Sequence, residues 1–216
     1  MRYKTDSIAK SFSLGEVIAN SVTHAIGIGL SIAGLVILII RAANRGDAWH
    51  MASFIVFGVS LILLYLASTI YHSTPRFSWN AILQRLDHAA IFFLIAGTYT
   101  PFLLTKLRGP FGWSIFGIIW GLAILGLILK VGFTKRFVKP SVWLYIAMGW
   151  FAIVMFNQMM QQVGSLSLKF LVIGGVCYTA GVIFYRWRKL PYSHAIWHLF
   201  VMGGSTFHFF SVLQLA

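Results

Sequence analysis

The chain has 216 residues, of which 59% are apolar and only 10% charged, and its mean hydropathy is +0.83. An ordinary soluble domain carries about 25% charged residues, so this composition excludes a soluble globular protein and specifies an integral membrane one. Seventeen basic residues against four acidic ones give a formal charge of +13. In a soluble chain that would point to nucleic acid, but here the bases fall between apolar runs, where membrane lipids with anionic headgroups are the partner.

Residues 1–16 are polar and basic (Arg2, Lys4, Lys10), with Ile8, Phe12 and Leu14 scattered among them. They read as a short cytoplasmic helix along the membrane surface, without the apolar core of a cleavable export signal. Seven apolar runs follow, near 18–40, 49–72, 83–105, 111–129, 140–160, 167–186 and 192–214. Each is close to the ~20 residues that cross the hydrocarbon core. The expected fold is therefore an all-α integral membrane protein, a seven-transmembrane-helix bundle forming one domain over 1–216. Pro110, Pro140 and Pro191 stand where helices should begin, a position that tolerates the missing N–H. Pro101 lies inside the third run and should kink it. Gly27, Gly29, Gly34, Gly117, Gly121 and Gly126 read as small residues that let helices approach closely. Trp49, Trp113, Trp143 and Trp187 fit interfacial belts. The single cysteine, Cys177, has no partner for an internal disulfide.

With seven spans, the N-terminal segment and the second, fourth and sixth loops share one side. They carry twelve Lys and Arg, including Arg76, Arg85, Lys130, Lys135, Arg136, Lys139, Arg186, Arg188 and Lys189. The other side carries five: Arg41, Arg45, Lys106, Arg108 and Lys169. The excess of bases predicts a cytoplasmic N-terminus and an external C-terminus, as expected of a multi-pass protein of the bacterial inner membrane.

His194-Ala-Ile-Trp-His198 opens the last run. Two histidines four residues apart share one helix face and can reach a single metal ion. Ionisable side chains inside a span are expensive and functional by default. A metal site also needs a third ligand at the same depth. The topology places several candidates there: His72 at the inward end of the second run, Asp87 and His88 at the start of the third, and Glu16, Asn20 and His24 at four-residue steps in the first. Five of the seven histidines thus share one layer with two of the four acidic residues. His50 falls at the opposite end, and His208 lies about 15 Å beyond His198 along its helix, so neither is an expected ligand. His88 points about 100° away from Asp87 and reads as a packing residue.

These residues carry a resemblance. Glu16-x-x-x-Asn20-x-x-x-His24, Ser68-x-x-x-His72 followed by Asp87, and His194-x-x-x-His198 are similar to the three motifs of the progestin and adiponectin receptor family. The strings Ala96-Gly-Thr-Tyr-Thr-Pro-Phe102 and Pro191-Tyr-Ser-His-Ala-Ile-Trp-His198 resemble its bacterial branch, hemolysin III. The resemblance implies seven helices and a zinc ion held by His72, His194 and His198, with Asp87 acting on the water at the open position. Alkaline ceramidases are similar in this site and cleave a lipid amide. The animal receptors' long N-terminal domain has no counterpart here, so their signalling is not carried over.

The chemistry agrees with that assignment. Three neutral histidines leave the fourth zinc position for water, the pattern of a catalytic site. Asp87 would orient the water and take its proton. Ser68 would bond the water or the developing oxyanion, or else its own helix backbone. Glu16, Asn20 and His24 would brace the first helix and orient the ligands from behind. The absence of a glutamate from His194-Ala-Ile-Trp-His198 disfavours a zincin-type peptidase. The expected function is zinc-dependent hydrolysis of an amide or ester in a lipid-like substrate at the cytoplasmic membrane edge. The alternative is a non-enzymatic membrane-homeostasis or sensor protein with structural zinc. A secreted lytic pore former is disfavoured by seven near-continuous apolar spans.

Overall fold

The computed structural model describes residues 12–75, 78–132, 134–187 and 189–216, and of 134–140 the backbone alone. The surface helix expected at 1–16 therefore falls mostly outside the described residues, as do Arg76 and Arg188 of the charge comparison. Among the described residues the regular elements are helices, and seven spans are long and apolar enough to cross a membrane. They are α1 (Leu14–Arg45), α2 (Ala48–Ser73), α3 (Asn80–Pro101) with a π-helical turn (Phe102–Lys106), α4 (Pro110–Gly132), a composite fifth span, α7 (Ser165–Arg186) and α8 (Ser193–Leu213). The fifth span joins α5 (Thr134–Gly149), a 3₁₀ stretch (Trp150–Met155) and α6 (Phe156–Gln162). The expected all-α seven-helix membrane bundle is what the chain forms.

Helix ends follow hydrogen-bonding caps rather than the limits of hydropathy. Ser13 Oγ accepts from Glu16 N (3.2 Å) while Glu16 Oε2 accepts from Ser13 N (2.9 Å). This reciprocal pair satisfies two donors at the start of α1. Gly46 ends the helix in the left-handed region at φ 68°, where a residue without Cβ meets no penalty. Asp47 at once caps α2 by accepting from Trp49 N at 3.0 Å. That bond, and then the contact with His50, hold the Asp47 carboxyl below the usual carboxylate range. The caps lengthen α1 to 32 residues, about 48 Å, so it tilts or projects beyond a hydrocarbon core of ~30 Å.

The first helix is polar on the inside. Leu14, Ile18, Val22, Ile26 and Leu30, at four-residue steps, are each about half exposed, whereas Glu16, Asn20, His24, Gly27 and Ser31 are buried. A soluble amphipathic helix turns the opposite way; here lipid is the solvent. The third span is the central one, with 72% of its most apolar window buried against 17% for the fifth and sixth spans. Phe54, Phe57, Phe92, Phe102 and Ile119 form the apolar interior around it. Successive helices α1 to α4 pack pairwise, α7 packs on α8, and α8 returns to α1. That closure brings the two ends of the sequence together.

The prolines behave unequally. Pro110 opens α4 as expected, and Pro191 stands two residues before α8, separated from it by Tyr192 at φ 54°. Pro140 does not start its helix: the backbone is already helical from Thr134, giving up only the one bond a proline cannot donate. At Pro101 the expected kink takes a specific form. The helix continues through the proline and widens into the π turn, closed by Leu107 N donating to Phe102 O at 2.9 Å. In the fifth span, Tyr99 supplies what the 3₁₀ break removes. Its hydroxyl bonds the carbonyls of Met148 and Gly149 (both 2.9 Å) and accepts from Ala152 N at 2.8 Å, satisfying backbone groups that lipid cannot.

The glycines divide in the same manner. Gly27 faces the Tyr65 ring, Gly34 faces Phe209 and Gly126 faces Phe92, but Gly29, Gly117 and Gly121 face open space, not a neighbouring helix. Sequence spacing alone does not say which side of a helix meets protein. A Cβ on Gly126 would lie 2.5 Å from Phe92 Cζ, and overpacking of this kind costs about 1–3 kcal/mol. Gly126→Leu should therefore lower the thermal unfolding temperature in detergent by several degrees, while Gly121→Leu leaves it unchanged. Equal effects of the two substitutions would contradict the packing described.

Candidate metal centre

The layer predicted from the sequence assembles at the end of the bundle where α1 begins. His72 stands in the last turn of α2, and His194 and His198 occupy the first two turns of α8. The closure of α8 onto α1 and α2 brings them together. His72 Nε2 and His194 Nε2 are 3.1 Å apart, and the ligand atoms of all three histidines lie within 4.8 Å of one another. His72 and His198 are 4% and 1% exposed. Three imidazole nitrogens converging in this way can hold a metal ion.

The surroundings orient the rings. His198 Nδ1 is 3.1 Å from the Asn20 carbonyl and 3.0 Å from Thr23 Oγ1. The Thr23 hydroxyl itself donates to Ala19 O at 2.8 Å, so Nδ1 carries the proton and donates to both oxygens. Nε2 is thereby left as the basic nitrogen, the arrangement that outer partners impose on metal-binding histidines. His24 stacks face to face on His198, with ring centroids 3.5 Å apart and planes 14° from parallel. Its two nitrogens have no hydrogen-bond partner among the described residues, and they are not in the convergent group. Glu16 Oε1 accepts from Tyr192 N at 3.1 Å, pinning the left-handed residue just before α8 while Oε2 holds the start of α1. Asn20 acts through its backbone. Its backbone carbonyl orients His198, whereas its buried amide side chain has no partner among the described residues.

Asp87 and Ser68 come from the neighbouring walls. Both are buried, at 8% and 1% exposure, and Ser68 stands close enough to the Asp87 carboxyl to act on it. They line a cavity of about 320 Å³ together with His194 and His198, and its surface is almost entirely apolar. The cavity extends toward His208, whose Nε2 bonds the Leu171 carbonyl at 3.1 Å. His88 packs against α5, its carbonyl accepting from Tyr145 Oη at 2.9 Å, yet it also lines the cavity. His50 lies at the other end of α2, bonded to Asp47 and 3.2 Å from Leu215 O.

Three residues escaped sequence reasoning. Thr23 adjoins His24 and resembles any other helical threonine. Phe12 lies against the rings of His72 and His194, with centroids 6.1 and 5.7 Å away, at the edge of a segment that reads only as basic. Lys130 was counted among the loop bases, but it is 1% exposed in the last turn of α4 and reaches the cavity. Its position directly after an apolar run was the available signal, hidden by the habit of assigning such lysines to water.

Comparison with known proteins agrees with these features. A model of the family described as "Haemolysin-III related" matches residues 12–209. "Hemolysin-3" of Bacillus cereus is 51% identical over 198 residues, covering 92% of this chain and 90% of that protein. "Hemolysin-3 homolog" of Bacillus subtilis (strain 168) is 48% identical over 202 residues, covering 94% and 95%. "Monocyte to macrophage differentiation factor" of Homo sapiens is 29% identical over 203 residues, covering 90% and 82%. The matched region takes in the first six spans, most of the seventh and all the residues of the polar layer. This multi-pass membrane protein therefore belongs to the hemolysin III branch of the progestin and adiponectin receptor family.

Proposed function

We propose that the protein is a zinc-dependent hydrolase of an amide or ester bond in a lipid-like substrate, working at the cytoplasmic edge of the bacterial inner membrane. The observation that carries this reading is the convergence of His72, His194 and His198, two of which, His194 and His198, line one apolar cavity with Asp87 and Ser68. Two imidazole nitrogens sharing one tetrahedral zinc, with bonds of ~2.0–2.1 Å, stand about 3.3 Å apart. The 3.1 Å between His72 and His194 fits that separation. Three neutral ligands also leave one position open. When bound there, zinc supplies Lewis acidity toward a carbonyl oxygen and lowers the pKa of water toward about 7.

The remaining work belongs to the chain. Asn20 O and Thr23 hold the His198 ring through Nδ1, and Glu16 holds the turn that sets His194. Asp87 receives the proton of the attacking water, a role that typically contributes about 10²–10⁴-fold. Ser68 holds the Asp87 carboxyl or donates to the oxyanion. The apolar wall takes the hydrocarbon part of the substrate and keeps bulk water from the site.

A second reading has its own support: the three ligands come from α2 and α8, so a metal there also staples two spans. In that case metal binding is folding energy and the protein is a membrane-homeostasis or sensor protein without turnover. A lytic pore is disfavoured because the polar layer is packed among helices rather than lining a channel.

Elemental analysis of purified protein should find about one zinc per chain, lost in His72→Ala, His194→Ala and His198→Ala. Thr23→Val should weaken the metal roughly 10-fold or more, as loss of an outer partner does. A protein without stoichiometric metal would overturn the site. On a panel of acyl-amide and acyl-ester lipids, Asp87→Ala should lower product release by at least about 100-fold while retaining zinc and thermal stability. Loss of stability with no turnover in the parent protein selects the structural reading. In intact cells an N-terminal tag should resist external protease and a C-terminal tag should be cleaved; the reverse would refute the orientation.

A further inference from the structure

Phe12 immediately precedes Ser13, the cap of α1. An apolar residue at this position often folds back onto its own helix as a staple. Here the phenyl ring reaches across to two of the three converging imidazoles. It meets His72 edge-on, with centroids 6.1 Å apart and planes at 72°, and lies 5.7 Å from the His194 ring. Tyr71 and Tyr185 stand against the same two imidazoles, at 4.5 and 6.1 Å. His72 is therefore only 4% exposed although it sits in the last turn of a span.

The chain on either side of the histidines is clasped. Ser13 N, adjacent to Phe12, donates to Glu16 Oε2, and Glu16 Oε1 accepts from Tyr192 N. One carboxylate thus ties the residue after Phe12 to the residue before α8. The Tyr192 hydroxyl rests over Gly15, where a Cβ would come within 2.5 Å of it. The starts of α1 and α8 are held together, with Phe12 against the ligands.

The histidine group also has a second side. His194 and His198 line the apolar cavity, whereas neither His72 nor Phe12 does. A zinc ion coming through the cavity would cross apolar surface, a costly medium for a charge. The end of the bundle where α1 and α8 begin is where the spans meet water. On that side the ring of Phe12 stands before the ligands.

We propose that Phe12 is a door for the metal: zinc reaches and leaves the three histidines past its ring, while the cavity serves the organic ligand. The proposal rests on these histidines holding metal, as the hydrolase reading does, but it concerns exchange and needs no turnover. Opening a door speeds entry and release by one factor and leaves their ratio, the dissociation constant, unchanged. A ring that instead braced the ligands would weaken binding when removed.

Full-length zinc-loaded protein in phosphatidylcholine nanodiscs is mixed with excess colorimetric zinc chelator. Release is timed where its rate no longer depends on chelator concentration, and affinity is measured by equilibrium competition with the same chelator. Phe12→Ala should speed release about 10-fold or more, the scale of two lost aromatic contacts. Its dissociation constant should stay within about two-fold of the parent's. Phe12→Tyr should keep the parent's rate, as should Trp150→Ala on the cavity wall. If Phe12→Ala loses its fold, Phe12→Val decides: release several-fold faster at unchanged affinity supports the door, and an unchanged rate overturns it. Unchanged release from Phe12→Ala, faster release matched by an equal loss of affinity, or release governed by Trp150 instead would each overturn the proposal. A parent protein that takes up no zinc refutes the metal site and the door together. Stoichiometric zinc whose exchange is indifferent to Phe12 refutes the door alone.

Discussion

A bilayer offers a buried polar group no water, and this constraint organises the whole molecule. Every imidazole, hydroxyl and carboxyl within the spans must find a partner in the protein or carry the cost of having none. The chain answers by turning the polar edge of α1 inward and gathering its polar residues at one end of the bundle. Scattered, each would carry that cost separately; gathered, several satisfy one another, while the Asn20 amide and the His24 ring have no hydrogen-bond partner among the described residues. His198 with Asn20 and Thr23, and Glu16 with Ser13 and Tyr192, are products of that gathering.

The same packing makes α1 a positioning element although it contributes no residue to the convergent group. Its backbone at Asn20 and hydroxyl at Thr23 set the tautomer of His198, and Glu16 braces the turn from which α8 departs. The stacking of His24 on His198 removes ring freedom without using either nitrogen. The three ligands are thus held by contacts that cross nearly the full length of the sequence, which is why the closure of α8 on α1 matters more to the site than any single helix.

The cavity follows from the opposite tendency. The third span is buried on most sides, while the fifth and sixth are peripheral and face lipid. The space between them is apolar apart from the layer at one end. The 3₁₀ break in the fifth span, sustained by Tyr99, and the π turn after Pro101 both border this region. Non-helical backbone survives there because protein groups replace the lost helical bonds. A long apolar space ending at polar, chemistry-bearing side chains is the shape an amphiphile fits.

Much of this was legible in the sequence, because hydropathy and spacing are local quantities. Seven spans follow from run length, and the pairing of His194 with His198 follows from helical period. The common depth of His72, Asp87 and the α1 residues follows from counting spans. Tertiary structure alone decided what depends on which side of a helix faces protein. Gly126 meets Phe92 while Gly121 meets open space, although the two look alike in sequence. Asn20 orients a ligand through its carbonyl, an atom every residue has. Thr23 becomes a hydrogen-bond partner only once α8 lies against α1. Lys130 reads as a loop base because its neighbours in sequence are basic, yet its neighbours in space are Ser141 and the cavity. Rotation about a helix axis is set by packing between distant segments, and no local pattern in the sequence encodes it.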